Sequence, residues 1–129
     1  MILDTSALLA ILLDEPERRD FVACIESEAV RRASAASVLE ASMVLEARFG
    51  PAAEGDLDLF LHRAAVEIVP FDQDQLAMAR SAFRRFGKGR HPAALNFGDC
   101  ISYALARALD EPLLFKGSDF RQTDVTAAL

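Results

Sequence analysis

Short, mostly apolar runs alternate along the chain with longer segments in which apolar residues recur every three or four positions. The longer segments have the period of amphipathic helices, whereas short apolar runs bounded by turn residues are typical of strands buried on both faces. The pattern predicts strands over residues 1–4, 32–34, 66–69 and 113–115, and an edge strand over residues 125–129.

The segments between these strands carry signals for helix starts and stops. Ser6 is predicted to cap the first helix. Ser37 and Glu40 fit the S-x-x-E capping box at the start of the third helix. We predict helices over residues 6–13, 17–29, 37–49, 53–65 and 72–87, and a sixth that opens at Gly98-Asp99 and ends before Glu111-Pro112.

This alternation of strands and helices predicts the class of fold. Strands separated by helices favour a parallel sheet with helices on both faces. We therefore predict an α/β fold with a small, about five-stranded parallel sheet, in a single domain over residues 1–129.

The composition is that of an ordinary globular protein, with 52% hydrophobic and 26% charged residues. No apolar run approaches the roughly 18 residues that a membrane-spanning helix needs, and no secretory signal is visible. Cys24 and Cys100 are far apart and form no C-x-x-C motif, so we interpret them as buried thiols. We expect a cytoplasmic protein that has no membrane contact.

The charge is unevenly distributed. The formal net charge is −6, which taken alone argues against binding to nucleic acid. Residues 80–90, however, contain five basic residues and no acid, while the rest of the chain holds 9 basic and 20 acidic residues. The sequence thus describes a mostly acidic body with one basic segment.

Four carboxylates fall near one edge of the predicted sheet. Asp4 ends the first strand and Asp119 follows the strand over residues 113–115, and ligands of such sheets bind beyond the carboxyl ends of the strands. Asp99 lies at a helix start near the same edge, where the helix dipole lowers the pKa of a carboxylate. Glu40 lies on an otherwise apolar helical stripe, so it must be paired or bound to something.

Each of these acids also has a local structural explanation. Asp4 and Asp99 could be helix caps, Glu40 could close the capping box with Ser37, and Asp119 lies in an ordinary turn. Their convergence on one edge favours a shared site instead.

Several carboxylates at one site repel each other, and a hard divalent cation relieves that repulsion. Oxygen ligands favour Mg²⁺ or Mn²⁺, which would activate water and offset charge on a phosphodiester. Zinc is disfavoured because His62 and His91 have no partner at metal-ligand spacing. Ser6 and Ser118 have no nearby histidine, so Ser-His-Asp chemistry has little support.

Four segments of the chain carry a family likeness. It opens with M-I-L-D-T-S-A-L, has S-V-L-E-A around Glu40 and H-P-A-A-L-N-F-G-D-C-I-S-Y-A-L-A around Asp99, and closes with L-L-F-K-G-S-D-F-R-Q-T-D-V. These segments resemble PIN-domain nucleases, especially the VapC-type toxins of toxin–antitoxin pairs.

The resemblance implies an endoribonuclease that depends on Mg²⁺, with Mn²⁺ as a substitute. On that basis Asp4 and Asp99 are the main metal ligands, and Glu40 and Asp119 complete the acidic shell directly or through water. The resemblance further implies supporting roles at Thr5, Ser6, Ser118 and Asp124.

The resemblance also implies partners. VapC-type toxins form homodimers and are inhibited by a cognate antitoxin protein, and they reach operator DNA only through that antitoxin. If RNA is the substrate, the basic segment supplies candidate contacts to its backbone, since phosphate affinity comes mainly from Lys and Arg. These candidates are Arg84, Arg85, Lys88 and Arg90, although a solvated helix face followed by a loop explains them equally well.

Three rival functions are weighed against this hypothesis. A metal-dependent DNA nuclease or phosphatase could use the same scaffold, and a catalytically silent module could bind only a partner protein. An aspartic protease, which Asp4-Thr5-Ser6 brings to mind, is disfavoured because Ala7 opens a helix where the protease loop requires glycine.

Overall fold

A four-stranded parallel sheet lies at the centre of the computed structural model, which describes residues 1–129. The sheet has the strand order β3-β2-β1-β4, with β1 (Ile2–Leu3), β2 (Arg31–Ser34), β3 (Val66–Val69) and β4 (Leu113–Leu114). The helices are α1 (Thr5–Leu12), α2 (Arg18–Ser27), α3 (Ala35–Phe49), α4 (Ala53–Arg63), α5 (Gln73–Phe86) and α6 (Phe97–Leu109). A short 3₁₀ turn over Asp119–Gln122 follows β4. None of the helices is long and apolar enough to cross a membrane.

The predicted edge strand over residues 125–129 is reduced to one parallel bridge, between Leu113 and Ala127. The Leu113 N–H donates to the Thr126 carbonyl at 2.8 Å, and the Ala128 N–H donates to the Leu113 carbonyl at 2.9 Å. The bridge is short because β4 offers only two residues for pairing. It nevertheless fills the fifth position of the sheet, and the predicted α/β fold is confirmed.

Strands β1 and β4 are buried on both faces of the sheet, whereas the two middle residues of the edge strand β3 are exposed. Adjacent strand residues point to opposite faces, and accordingly Leu3 and Leu114 belong to one hydrophobic cluster while Ile2 and Leu113 belong to another. Helices α1 to α4 supply most of the first cluster, and α5 and α6 supply five of the eleven residues of the second. This double cover explains why β1 and β4 are wholly apolar.

The strand order places a crevice at the end of β1. Strands β2 and β3 lie on one side of β1 and β4 lies on the other, so the connections change direction between β1 and β4. Open α/β sheets bind ligands outside the carboxyl ends of their strands at such a switch point. Asp4, the residue after β1, lies at this position.

Two helices start earlier than predicted because each follows its strand directly. Asp4, not Ser6, is the N-cap of α1, and its side chain accepts the Ser6 N–H. Ser34, not Ser37, caps α3 by accepting the Ala36 N–H. The predicted capping box of Ser37 with Glu40 is therefore wrong, and Glu40 lies in the second turn of α3.

Candidate active site

Asp4 is the most deeply buried of the four predicted acids, with 3% of its surface exposed. Its Oδ2 accepts hydrogen bonds from the Ser6 N–H at 3.0 Å and the Ser6 hydroxyl at 2.5 Å. Its Oδ1 accepts from the Ser102 hydroxyl at 2.5 Å. No cationic group pairs with it. A buried carboxylate held only by neutral donors is costly unless a cation compensates its charge.

The hydroxyl groups around Asp4 only partly match the prediction. Ser6 lies beside Asp4 as expected, and its hydroxyl also accepts the Lys116 N–H at 2.9 Å, which ties α1 to the segment after β4. The Thr5 hydroxyl donates to the Ser37 carbonyl at 3.4 Å and not to an acid. Sequence reasoning missed Ser102, although its spacing of three residues from Asp99 places it on the same helical face.

Asp99 forms a true capping box at the start of α6. Its Oδ2 accepts the Asn96 N–H at 3.0 Å, while the Asn96 side chain accepts the Asp99 N–H at 2.9 Å. The expectation that the helix start lowers its pKa is wrong. Burial, together with the charges of the other three acids, raises the pKa of Asp99 to about 6 and outweighs the Asn96 hydrogen bond. The other three predicted acids therefore each lie within electrostatic reach of Asp99.

Glu40 reaches the site from α3 and lies against the first turn of α6. A Cβ placed on Gly98 would lie only 2.5 and 2.6 Å from the two carboxylate oxygens of Glu40. Gly98 is buried and immediately precedes Asp99. The missing side chain at residue 98 is thus what allows the Glu40 carboxylate to approach the start of α6.

Asp119 comes from the segment after β4 and is exposed at the start of the 3₁₀ turn. The turn is anchored by the buried Phe120, whose ring centroid lies 5.1 Å from that of Phe115. Ser118 is exposed, and its side chain makes no capping hydrogen bond. The packing of Phe120 thus fixes the turn that carries Asp119. The supporting role of Ser118 stays a prediction.

Asp124, predicted as an outer acid, and Arg85, predicted as a contact to RNA, pair with each other. Asp124 accepts from the Tyr103 hydroxyl at 2.7 Å and from Arg85 at 3.1 Å, and Arg85 also donates to the Tyr103 oxygen at 3.2 Å. Partial burial alone would raise the pKa of Asp124, but these two partners hold it below its ordinary value. These hydrogen bonds connect the C-terminal segment, which carries Asp124, to Arg85 of α5 and Tyr103 of α6.

The other basic candidates remain accessible. Arg84, Lys88 and Arg90 are exposed, and the Arg90 guanidinium lies 4.9 Å from the centroid of the Phe83 ring. Arg84 also lines an apolar groove between α5 and α6 that extends to Cys100, the neighbour of Asp99. Their contact with RNA stays a prediction.

The donor set of the four acids fits a hard divalent cation. None of the four takes part in any ion pair of the chain, and all their side-chain donors are oxygens. No three His, Cys, Asp or Glu side chains are arranged to hold one ion together. Mg²⁺ characteristically takes one or two protein carboxylates and keeps several waters. The oxygen donors of these acids are compatible with a divalent cation that takes no more than two of them as direct ligands.

Comparison with known proteins identifies the class that this fold and site define. The chain belongs to the PIN-domain family, whose sequence profile matches residues 1–125. It is 54% identical over 130 residues to ribonuclease VapC30 of Mycobacterium tuberculosis, in an alignment covering 100% of this chain and 99% of that protein. The resemblance to VapC-type PIN-domain ribonucleases is therefore confirmed.

Solved structures agree on the fold. The crystal structure of Mycobacterium tuberculosis VapC20, described as a toxin that cleaves the sarcin–ricin loop, superposes with a TM-score of 0.78 at 17% identity, covering 97% of this chain and 95% of that one. A toxin–antitoxin complex from Klebsiella pneumoniae superposes with a TM-score of 0.72 at 18% identity, covering 99% and 97%. At these identities the likeness establishes the fold alone.

Proposed function

We propose that this protein is an endoribonuclease that requires Mg²⁺ and acts as the toxin of a toxin–antitoxin pair, with residues 1–129 as one nuclease domain. The observation that carries the proposal is the buried Asp4 carboxylate at the switch point of the sheet. It is paired with no cationic side chain, and burial, together with its charge and those of Glu40 and Asp119, raises the pKa of the nearby Asp99. Family membership implies a divalent cation, and the oxygen-only donor set favours Mg²⁺, with Mn²⁺ as a substitute.

In this proposal the four acids have different roles in metal binding. Asp4 and Asp99 bind the ion directly, and Glu40 and Asp119 complete the shell directly or through water. The bound cation supplies an activated water and offsets negative charge on the phosphodiester. At a pH below about 6 and without the ion, Asp99 holds a proton, and this proton lies on Oδ1 because Oδ2 accepts the Asn96 N–H. Binding of the ion and release of this proton are therefore coupled.

The basic side chains next to the groove are the proposed contacts to the RNA backbone. Arg84, Lys88 and Arg90 are exposed and carry no ion pair, whereas Arg85 is engaged by Asp124. These cations offset the acidic surroundings that would otherwise repel RNA. We place the activity in the cytoplasm, where RNA and the antitoxin are available.

The partners of the proposed toxin are a cognate antitoxin and a second copy of the chain. Membership among the VapC ribonucleases supports neutralisation by an antitoxin, and operator DNA is reached only through that protein. Large apolar side chains stay exposed on α3 and at the start of α6, namely Leu39, Met43 and Phe97. A homodimer would remove such side chains from water.

The experiment that tests the proposal is cleavage of structured and single-stranded RNA by the purified chain in Mg²⁺, in Mn²⁺ and in EDTA. The matched control is Asp99→Asn, because asparagine can keep the acceptor for the Asn96 N–H and so preserve the start of α6. We expect cleavage in Mg²⁺ and Mn²⁺, none in EDTA, and none by the variant. Cleavage that persists in EDTA, or cleavage of DNA but not RNA in a parallel assay, would contradict the proposal.

The contact between Glu40 and Gly98 gives a second prediction. Gly98→Ala should fold, because the atoms in the way are the end of a flexible side chain and alanine favours a helix over glycine. It should displace the Glu40 carboxylate and lower Mg²⁺-dependent cleavage by about 10- to 100-fold, the usual effect of disturbing groups around a metal site. Cleavage rates and circular dichroism measure the two effects.

Gly55→Ala is the matched control for this variant, because Gly55 lies in α4 and a Cβ there meets nothing within 4 Å. Equal cleavage by the two variants would show that the reaction does not depend on the space that Gly98 leaves for the Glu40 carboxylate.

A further inference from the structure

A chain of buried hydroxyl groups lies behind the Asp4 carboxylate. The Ser102 hydroxyl lies 2.5 Å from Asp4 Oδ1, and the Ser37 hydroxyl lies 3.3 Å from that of Ser102. Both serines are almost fully buried, with 1% and 2% of their surface exposed. Burial therefore keeps bulk solvent from replacing Asp4 as the hydrogen-bond partner of Ser102.

The direction of the hydrogen bonds in this chain follows from the chemistry of the groups. An ionised carboxylate can only accept, so the single hydroxyl proton of Ser102 goes to Asp4. Ser37 is then the donor to the Ser102 oxygen. Hydrogen bonds in series polarise and strengthen one another, so Ser37 reinforces the bond that Ser102 makes.

Ser102 is the sole hydrogen-bond partner of Asp4 Oδ1, whereas Oδ2 receives two bonds from Ser6. The Ser6 bonds form at the helix cap and hold one oxygen in place. Rotation of the carboxylate about that oxygen is opposed by Ser102. The orientation of the free lone pairs of Asp4 thus depends on Ser102.

The two serines also connect Asp4 to the helices that carry the other acids. Ser102 lies three residues after Asp99 on α6, and Ser37 lies three residues before Glu40 on α3. Residues three apart occupy the same face of a helix. One hydroxyl pair therefore links the end of β1 to α3 and α6 on the faces where Glu40 and Asp99 project.

We propose that Ser102, supported by Ser37, is a positioning residue that orients the Asp4 carboxylate for the divalent cation and thereby sets the affinity of the site for metal. This inference rests on the proposed function. It assigns to Ser102 an effect on metal binding and not on the folding of the chain.

The test is Ser102→Ala, with Mg²⁺ affinity measured by calorimetry and cleavage measured as a function of Mg²⁺ concentration. Loss of an outer partner of a metal ligand typically weakens binding by about 10- to 100-fold. We expect the dissociation constant and the half-saturating Mg²⁺ concentration to rise together within that range, while the rate at saturating Mg²⁺ recovers. Ser37→Ala should give a smaller change in the same direction.

The matched control is Ser42→Ala, because the Ser42 hydroxyl bonds only to the Val38 carbonyl of its own helix, at 2.9 Å. It should bind Mg²⁺ as the wild type does, and melting temperatures in EDTA verify that all variants are folded. Wild-type Mg²⁺ affinity in Ser102→Ala, or an equal loss of affinity in Ser42→Ala, would overturn the positioning role of Ser102. Neither result would affect the proposed ribonuclease function. A wild-type protein that neither binds Mg²⁺ nor cleaves RNA would overturn the proposed function and this inference with it.

Discussion

We expect the Asp4→Asn variant to lose RNA cleavage by more than about 100-fold, because a direct ligand matters more than the outer partners whose loss costs up to that much. The variant should stay folded. Its side-chain oxygen can accept the Ser6 N–H at the helix cap, and its amide can donate to Ser102, whose hydroxyl then turns toward Ser37. Cleavage rates in saturating Mg²⁺ and thermal unfolding in EDTA measure the two expectations.

The control for this variant is Asp58→Asn, which removes the same charge from an exposed position on α4 outside every ion pair. It should cleave RNA at the wild-type rate. Full activity in a purified Asp4→Asn protein would exclude Asp4 as a metal ligand. Equal losses in both variants would mean that the overall charge, and not the site, controls the reaction.

Without metal, the raised pKa of Asp99 should make the protein less stable as pH rises from about 4 to about 6. In this window the folded carboxyl, with a pKa of about 6, keeps a proton that the unfolded chain, with a value near 3.8, has already released. The folded state binds more protons, so the free energy of unfolding falls with rising pH. Well above pH 6 both states are ionised, and the cost is at most about 3 kcal/mol, less what solvent screening removes because Asp99 is only partly buried.

Urea unfolding in EDTA at pH 4, 5, 6 and 7.5 measures this effect by comparison with Asp99→Asn, which has no carboxyl to titrate. The comparison removes the opposite trend of groups such as Asp124, whose pKa is lowered. We expect the wild type to lose stability relative to the variant as pH rises. Mg²⁺ should stabilise the wild type more at pH 7.5 than at pH 5, because protons compete with the ion. A constant difference across this range would show that the pKa of Asp99 is not raised in the folded protein.

Much of this protein can be predicted from its sequence, because the signals are local. Alternating apolar runs and helical periodicity predict a parallel sheet covered on both faces, and Ile2 and Leu3 do pack into opposite clusters. The rule that ligands bind at the carboxyl edge predicts that Asp4, Asp99 and Asp119 meet. The family likeness follows from short segments around the same acids.

Tertiary structure alone decides which groups surround those acids. Ser102 and Asp4 are 98 residues apart, and no local pattern pairs them. The room that Gly98 leaves for Glu40, and the pairing of Asp124 with Arg85, likewise depend on how distant segments pack. The pKa of Asp99 rises although its helix start favours the charged form, because burial and neighbouring charges act through space. The sequence by itself predicted the order of the elements and the four acids of the candidate site, whereas packing determined the partners of those acids and the protonation of Asp99.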